Sequence, residues 1–283
     1  MKKLAVVTML LAALAGNAMA TALIGRSATV NKFLQAFGWA NIGYNKTAMS
    51  YIWDDGKYET PASYVGTTTA SCDVTLALGL PGKVEVDLVA PLAMKQAGDN
   101  KSSGLGDVMV YARWGVLQTS LLPVKAALIV GANLPTAPKD ANPALGDRMT
   151  DIGVGASAMT VSFLGFLAHV RAAYWLNGKL PDVEVENKVG NMIEYNVTLD
   201  YAISKTLTPE LALTGYSRAQ SEMGGTKVAN SEVSQNLGNV LLIWKPIPML
   251  VIRPKVAFPL TALSKGGSMA NWYGGLDAWL TFP

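Results

Sequence analysis

Hydrophobic and polar positions alternate through most of this chain. From Gly104 to Leu117 the sequence reads GLGDVMVYARWGVL. Val108, Val110, Ala112, Trp114 and Val116 share one side, and Asp107, Met109, Tyr111, Arg113 and Gly115 share the other. A β-strand points successive side chains to opposite faces. One face here is wholly apolar, while the other mixes acid, base and phenol. In a soluble sheet the apolar face meets a core and the polar face meets bulk water. In a membrane barrel the apolar face meets lipid and the polar face meets a lumen.

The same period recurs along the chain. It predicts strands from Phe33 to Lys46, Tyr64 to Gly79, Lys83 to Met94, Lys125 to Leu134, about Thr150 to Ser162, and Phe166 to Asn177. Further strands are expected from Asn191 to Ser204, Glu210 to Ser221, Ser231 to Lys245, Leu250 to Leu260 and Met269 to Phe282. The cleanest sets Ile193, Tyr195, Val197, Leu199 and Tyr201 against Glu194, Asn196, Thr198 and Asp200. Ser231 to Lys245 alternates too weakly for its faces to be assigned. Gly153 to Val170 is apolar enough to suggest a membrane helix. It carries Gly, Ser and Thr throughout, however, and Phe163-Leu164-Gly165 makes a tight turn between two alternating halves.

The tally is about twelve strands, an even number as outer-membrane barrels require. Connections alternate long and short, which matches long extracellular loops and short periplasmic turns. Outward aromatics gather near the strand ends. Trp114, Phe166, Tyr201 and Phe282 lie by short turns, and Tyr44, Tyr64, Tyr174, Tyr195, Phe258 and Trp272 by long loops. Amphipathic rings belong at the two membrane interfaces. The N-terminus adds direction. Lys2 and Lys3, an apolar run from Leu4 to Ala15 and the ending Ala18-Met19-Ala20 form a secretory signal peptide. The fold class expected is all-β, a transmembrane antiparallel up-and-down barrel of about twelve strands over residues 33–283. A signal peptide (1–20) and a short periplasmic leader (21–32) precede it.

Composition narrows the function classes. Charged residues make up 15% of the 283 residues and the net charge is only +3, with no strongly basic stretch. No nucleic-acid footprint is present. One Cys and one His exclude a disulfide framework and a cysteine metal cluster. No cofactor or metal site is expected. The glycines of Gly104-Leu105-Gly106 do not open a helix, which argues against a nucleotide loop.

Four pieces together resemble a known family. They are Gly104-Leu105-Gly106-Asp107, Tyr111-Ala112-Arg113, Asn133-Leu134-Pro135-Thr136 and Asp151-Ile152-Gly153-Val154-Gly155. Their order and spacing resemble the outer-membrane transporters named for the meta-cleavage pathway of phenol degradation. The resemblance implies a barrel of a Gram-negative outer membrane that passes small, hydrophobic or aromatic solutes. It implies as partners outer-membrane lipid, lipopolysaccharide and the barrel-assembly machinery. Such barrels usually end on an aromatic residue, whereas here Phe282 is penultimate, before Pro283.

The lumen-facing set is nearly balanced in sign. Its candidates for a constriction are Asp87, Asp107, Tyr111, Arg113, His169, Arg171, Asp200, Arg253, Lys255 and Asp277. Folding the hairpins in regular register brings Asp87 near Arg113, Arg171 near Asp200, and Lys255 opposite Asp277 with Arg253 beside Trp279. A belt of ion pairs is therefore expected to narrow the lumen. The loop from Pro135 to Asp147 is the other candidate constriction. No nucleophile or acid at triad spacing accompanies His169, so no catalytic residue is expected. The reading is a channel for small solutes; the alternative is a non-transporting barrel, an enzyme or a structural anchor.

Overall fold

The computed structural model describes residues 28–60, 66–118, 123–160, 162–180 and 187–282. The expected signal peptide, the first part of the leader (21–27) and Tyr64 lie outside the described residues.

Twelve antiparallel strands form the wall. They are β1 (Ala36–Ile52), β2 (Thr67–Leu80), β3 (Val84–Ala97), β4 (Val108–Leu117), β5 (Val124–Leu134) and β6 (Asp151–Thr160), followed by β7 (Phe166–Leu176), β8 (Met192–Tyr201), β9 (Leu207–Arg218), β10 (Val233–Ile247), β11 (Leu250–Pro259) and β12 (Ser268–Thr281). Each strand pairs with its neighbours in the chain, and β12 returns to pair with β1 from Phe37–Thr281 to Ser50–Ser268. That last pairing leaves no edge. Along the regular runs of each ladder backbone N–H and C=O groups are therefore bonded within the sheet, as a hydrocarbon environment demands.

Burial is inverted relative to a soluble protein. Leu76, Val130, Val154, Val170, Leu211 and Val240 are each more than half exposed on the outer wall. Asn41, Asp73, Glu85, Asp87, Arg113, Glu194 and Asp277 are buried inside. An apolar surface of this extent marks a membrane contact. The inner wall is polar because it faces a lumen.

Strand β10 explains its own weak pattern. Val240, Leu242 and Trp244 are exposed outside, while Leu241 and Ile243 line the lumen. Both faces are apolar over this stretch, so no alternation shows. The predicted tight turn is a two-residue hairpin loop. Phe163 and Phe166 exchange both backbone hydrogen bonds at 2.9 Å. Leu164 and Gly165 between them have φ of 51° and 85°. Two successive positive φ angles match the right-handed twist of the flanking strands.

One irregularity changes what the lumen contains. A short strand, Asn100–Leu105, pairs with the upper end of β3 and leads into β4. Leu105 lies opposite Leu92, yet Met109 lies opposite Val89. One extra residue is thus taken up around Gly106 and Asp107, and the Gly106 N–H donates to the Pro91 carbonyl at 2.7 Å. A bulge of this kind reverses which odd or even positions face inward. Lys101 is exposed above it, whereas Met109, Tyr111 and Arg113 are buried below it.

The face assignment of β8 has a direct test. Leu199 is 47% exposed and Thr198 only 6%. Leu199→Arg should lower the yield of folded barrel sharply, since a lipid-facing Arg near the midplane costs about 2–4 kcal/mol. Thr198→Arg should fold nearly as well as the parent. Heat-modifiable gel mobility after refolding into vesicles reads both, and the reverse order of harm would invert the assigned faces.

Candidate solute path through the lumen

At the end of the barrel that carries the short turns, the lumen is occupied by residues 28–35, the described part of the expected leader and the residues after it. The Asn31 N–H donates to Glu85 Oε2 at 2.7 Å, and Gln118 Nε2 donates to the Ala28 carbonyl at 2.7 Å. Leu34 and Gln35 exchange backbone bonds with Gly79 at 2.9 and 3.0 Å. Glu85 also takes Arg113 Nη1 at 2.8 Å, and both side chains are almost fully buried. A carboxylate that accepts from a guanidinium and a backbone N–H is well satisfied.

On the β3–β8 side an apolar cluster lines the lumen. It comprises Val89, Met109, Tyr111, Ile129, Ala173 and Trp175, with Met192 packed against it. The Tyr111 and Trp175 rings meet edge to face at 6.3 Å. Two glycines make this possible. A Cβ at Gly131 would sit 2.4 Å from the Tyr111 ring, and one at Gly153 would sit 2.8 Å from Trp175. Trp175 Nε1 donates to Glu194 Oε2 at 3.1 Å, which gives each buried polar atom a partner.

Beside this cluster lies a cavity of about 320 Å³. His169, Arg171, Asp200, Arg253 and Lys255 line it, together with Glu210 and the leader's Thr29 and Asn31. Phe37, Trp39 and Trp279 contribute aromatic surface. Asp277 is fully buried behind two of the cations. It accepts from Arg253 Nη2 at 2.7 Å and Lys255 Nζ at 3.0 Å. Arg253 also reaches Glu210 at 3.3 Å and lies over the Trp279 ring at 5.3 Å. His169 Nε2 and Asp200 Oδ2 are 2.9 Å apart.

The opposite mouth, at the end with the long loops, is narrowed by the loop 135–150. Asp107 pins it, since Oδ1 accepts the Ala137 N–H and Oδ2 the Arg148 N–H, both at 2.9 Å. Lys95 Nζ donates to the Ala144 carbonyl at 2.7 Å, and Leu145 packs between Ala93 and Ala137. Within the loop, Asp147 accepts from the Met149 N–H at 3.1 Å. Burial pushes its carboxyl up to about 7; the Met149 bond opposes this, and the nearby Asp151 and Asp107 charges add to it.

The predicted residues thus separate into levels. His169, Arg171, Asp200, Arg253 and Lys255 share the cavity, with Asp277 behind them. Asp87 and Tyr111 stand opposite each other on β3 and β4. Arg113 holds the floor, and Asp107 holds the loop 135–150. The registers correct the expected pairings. Glu85, rather than Asp87, lies opposite Arg113, because the hairpin turns at Gly98 and Asp99 rather than around Ser102. Asn196 lies opposite Arg171, and Asp200 reaches His169. Arg253, rather than Lys255, lies opposite Asp277, although both bond to it. Glu85, Glu210, Trp39 and Trp175 were not singled out from sequence. The alternation put them on the inward face, and only the register shows what they meet.

A closed twelve-stranded sheet, lipid-facing outside and ion-paired inside, defines a transmembrane β-barrel of the outer-membrane type. Solved barrels share the architecture. The COG4313 outer membrane channel from Pseudomonas putida F1 superposes with a TM-score of 0.79 at 13% identity, over 90% of this chain and 98% of that one. The NanC porin gives 0.51 at 11% identity, over 87% and 100%. The chain belongs to the family described as "Putative MetA-pathway of phenol degradation", whose signature matches residues 40–266. No curated protein matches it.

Two outcomes are expected at this site. Asp277→Ala leaves Arg253 and Lys255 facing each other without their shared carboxylate, and breaking a buried pair in this way costs about 3–5 kcal/mol. A lower urea midpoint with unchanged wild-type topology checks it. The second outcome concerns the loop. Its carboxyl binds a proton more tightly when packed than when solvated, so packing is strongest at acid pH and weakens as pH rises towards about 7. Protection of the amides across 135–150, taken after correction for the base-catalysed intrinsic exchange rate, should therefore fall between pH 5 and 7.5, and Asp147→Asn should flatten that fall.

Proposed function

We propose that this barrel is an outer-membrane channel that passes small solutes, among them hydrophobic or aromatic ones, through its lumen. The observation that carries the reading is the cavity of about 320 Å³ between the leader and the apolar cluster, walled by both aromatic and charged side chains. A structural anchor has no need of a hollow interior, because inward side chains can fill a small barrel. The similar Pseudomonas putida protein is itself described as an outer membrane channel. The family's name supports a role near the breakdown of phenolic compounds, and Phe37, Trp39 and Trp279 offer surface to a ring.

In this reading the solute enters past the loop 135–150, passes between the Tyr111–Trp175 cluster and the Arg253–Asp277 network, and leaves past the leader. Arg113, Arg171, Arg253 and Lys255 stand along that route among a larger set of inward acids, Asp73, Glu85, Asp87, Glu194, Asp200, Glu210 and Asp277. Charges of both signs at several levels suit neutral solutes, and the surplus of acid disfavours anions, since a selective anion pore needs a ring of bases.

Planar-bilayer recording tests the proposal. The purified protein should give discrete conductance steps. Arg113→Ala should raise the step size, because it loosens the Glu85 contact beside the leader, and both Arg113→Ala and Arg171→Ala should shift selectivity towards cations. A barrel without conductance in the parent and in both variants would favour the anchor. Steps that both variants leave unchanged would put the narrow point at the loop 135–150.

A further inference from the structure

The outer wall carries a polar row at one level above the lipid. Four residues are consecutive partners across adjacent strands. Lys46 on β1 lies opposite Thr68 on β2, Thr68 opposite Gln96 on β3, and Gln96 opposite Lys101 on the short strand above the bulge. Lys46, Gln96 and Lys101 are exposed. All four share the outward face with Tyr44, Ala70, Met94 and Ser103, which form the next row towards the membrane.

That lower row sets the depth. Tyr44 packs against Trp272 with ring centroids 6.0 Å apart, and paired amphipathic rings of this kind lie at the headgroup level. The polar row stands two residues higher, roughly 7 Å along the strand. Side chains there meet phosphates and sugars rather than acyl chains.

The row also has a fitting span and charge. Three strand spacings of about 4.8 Å separate Lys46 from Lys101, which puts their Cα atoms roughly 14 Å apart. A cleft of about 410 Å³ opens at the Lys46 end of the row, lined by Lys46, Thr68, Gln96 and, from the neighbouring loop, Thr60, with Lys101 on the next strand beyond its lining. Among the described residues no carboxylate lines it; Glu59 and Asp99 adjoin the lining residues Thr60 and Gly98 in the chain, and Glu59 is paired with Lys57 at 2.7 Å. Gln96 lines the cleft and its Nε2 donates to the Gly98 carbonyl at 3.1 Å, while its amide oxygen is an acceptor. The row therefore reads cation, hydroxyl, amide, cation.

We propose that this row binds the phosphorylated disaccharide headgroup of the outer leaflet's glycolipid, with Lys46 at one phosphate and Lys101 at the other. Lipid A has this form, a glucosamine disaccharide phosphorylated at both ends. Its hydroxyls and amide-linked chains present donors and acceptors to Thr68 and Gln96 between the two charges. Lysine serves here as a point charge that a phosphate can approach from several directions. The site lies outside the lumen, and its occupancy is independent of whether the barrel conducts.

Binding of the folded, detergent-purified protein to immobilised bisphosphoryl lipid A tests this. Dephosphorylated lipid A and phosphatidylglycerol serve as comparison lipids. The parent should retain the bisphosphoryl lipid well above both. Lys46→Ala with Lys101→Ala should weaken it about 30-fold, at roughly 1 kcal/mol for each lysine near an anionic surface. Each single variant should lose part of that, and Lys46→Arg with Lys101→Arg should restore most of it. Heat-modifiable mobility confirms that each variant is folded, and the single variants decide the question if the double one does not assemble. Equal retention of phosphatidylglycerol, or unaltered binding by the alanine variants, overturns the assignment.

Discussion

Closure of the β12–β1 ladder is the constraint on which everything else in this protein depends. A strand edge in hydrocarbon would leave a row of donors and acceptors without partners, each at a cost of several kcal/mol. Once the sheet must close, the side chains have only two destinations. Odd and even positions divide between lipid and lumen along each regular run, and the division can change only where the ladder itself is interrupted. Polar groups sent inward then meet one another across a narrow space. Arg253, Lys255, Glu210 and Asp277 form one such meeting, and Glu85 with Arg113 another.

The interior is built from two unlike halves. Towards β3–β8 the wall is small where the rings are large, and the glycines at 131 and 153 let Tyr111 and Trp175 lie against the backbone. Towards β9–β12 the wall is polar and bonded in a network, with Trp279 under Arg253. Dispersion and ring contacts hold the first half, and charge-assisted hydrogen bonds hold the second. The leader spans both, held by Gly79 and Glu85 on one side and touching the cavity with Thr29 and Asn31 on the other.

Much of this was legible in the chain, for a physical reason. The lipid makes a uniform demand of every outward position, so Val197, Leu199 and Tyr201 announce their face without knowledge of any partner. The lumen makes no uniform demand. Whether Arg113 meets Glu85 or Asp87 depends on which residues make the hairpin turn, here Gly98 and Asp99, and on the one-residue bulge around Gly106, neither of which shows in the alternation below them. Strand β10 stayed ambiguous because Leu241 and Ile243 are apolar on the inward side as well. The part played by Asp107 was hidden for another reason. Its partners, the Ala137 and Arg148 N–H groups, are backbone atoms of a loop, and backbone donors carry no sequence signal.

The bulge around Gly106 has an evolutionary meaning of its own. It divides one transmembrane staircase into two flights with opposite parity. A single-residue insertion or deletion within either flight would send every step beyond it to the wrong side, exchanging Arg113 with Trp114 below or Lys101 with Ser102 above. Indels in steps of two preserve both faces. The lineage can therefore lengthen or trim the hairpin above the membrane while leaving the lumen's furniture in place, provided that the count is even and the hinge itself is kept.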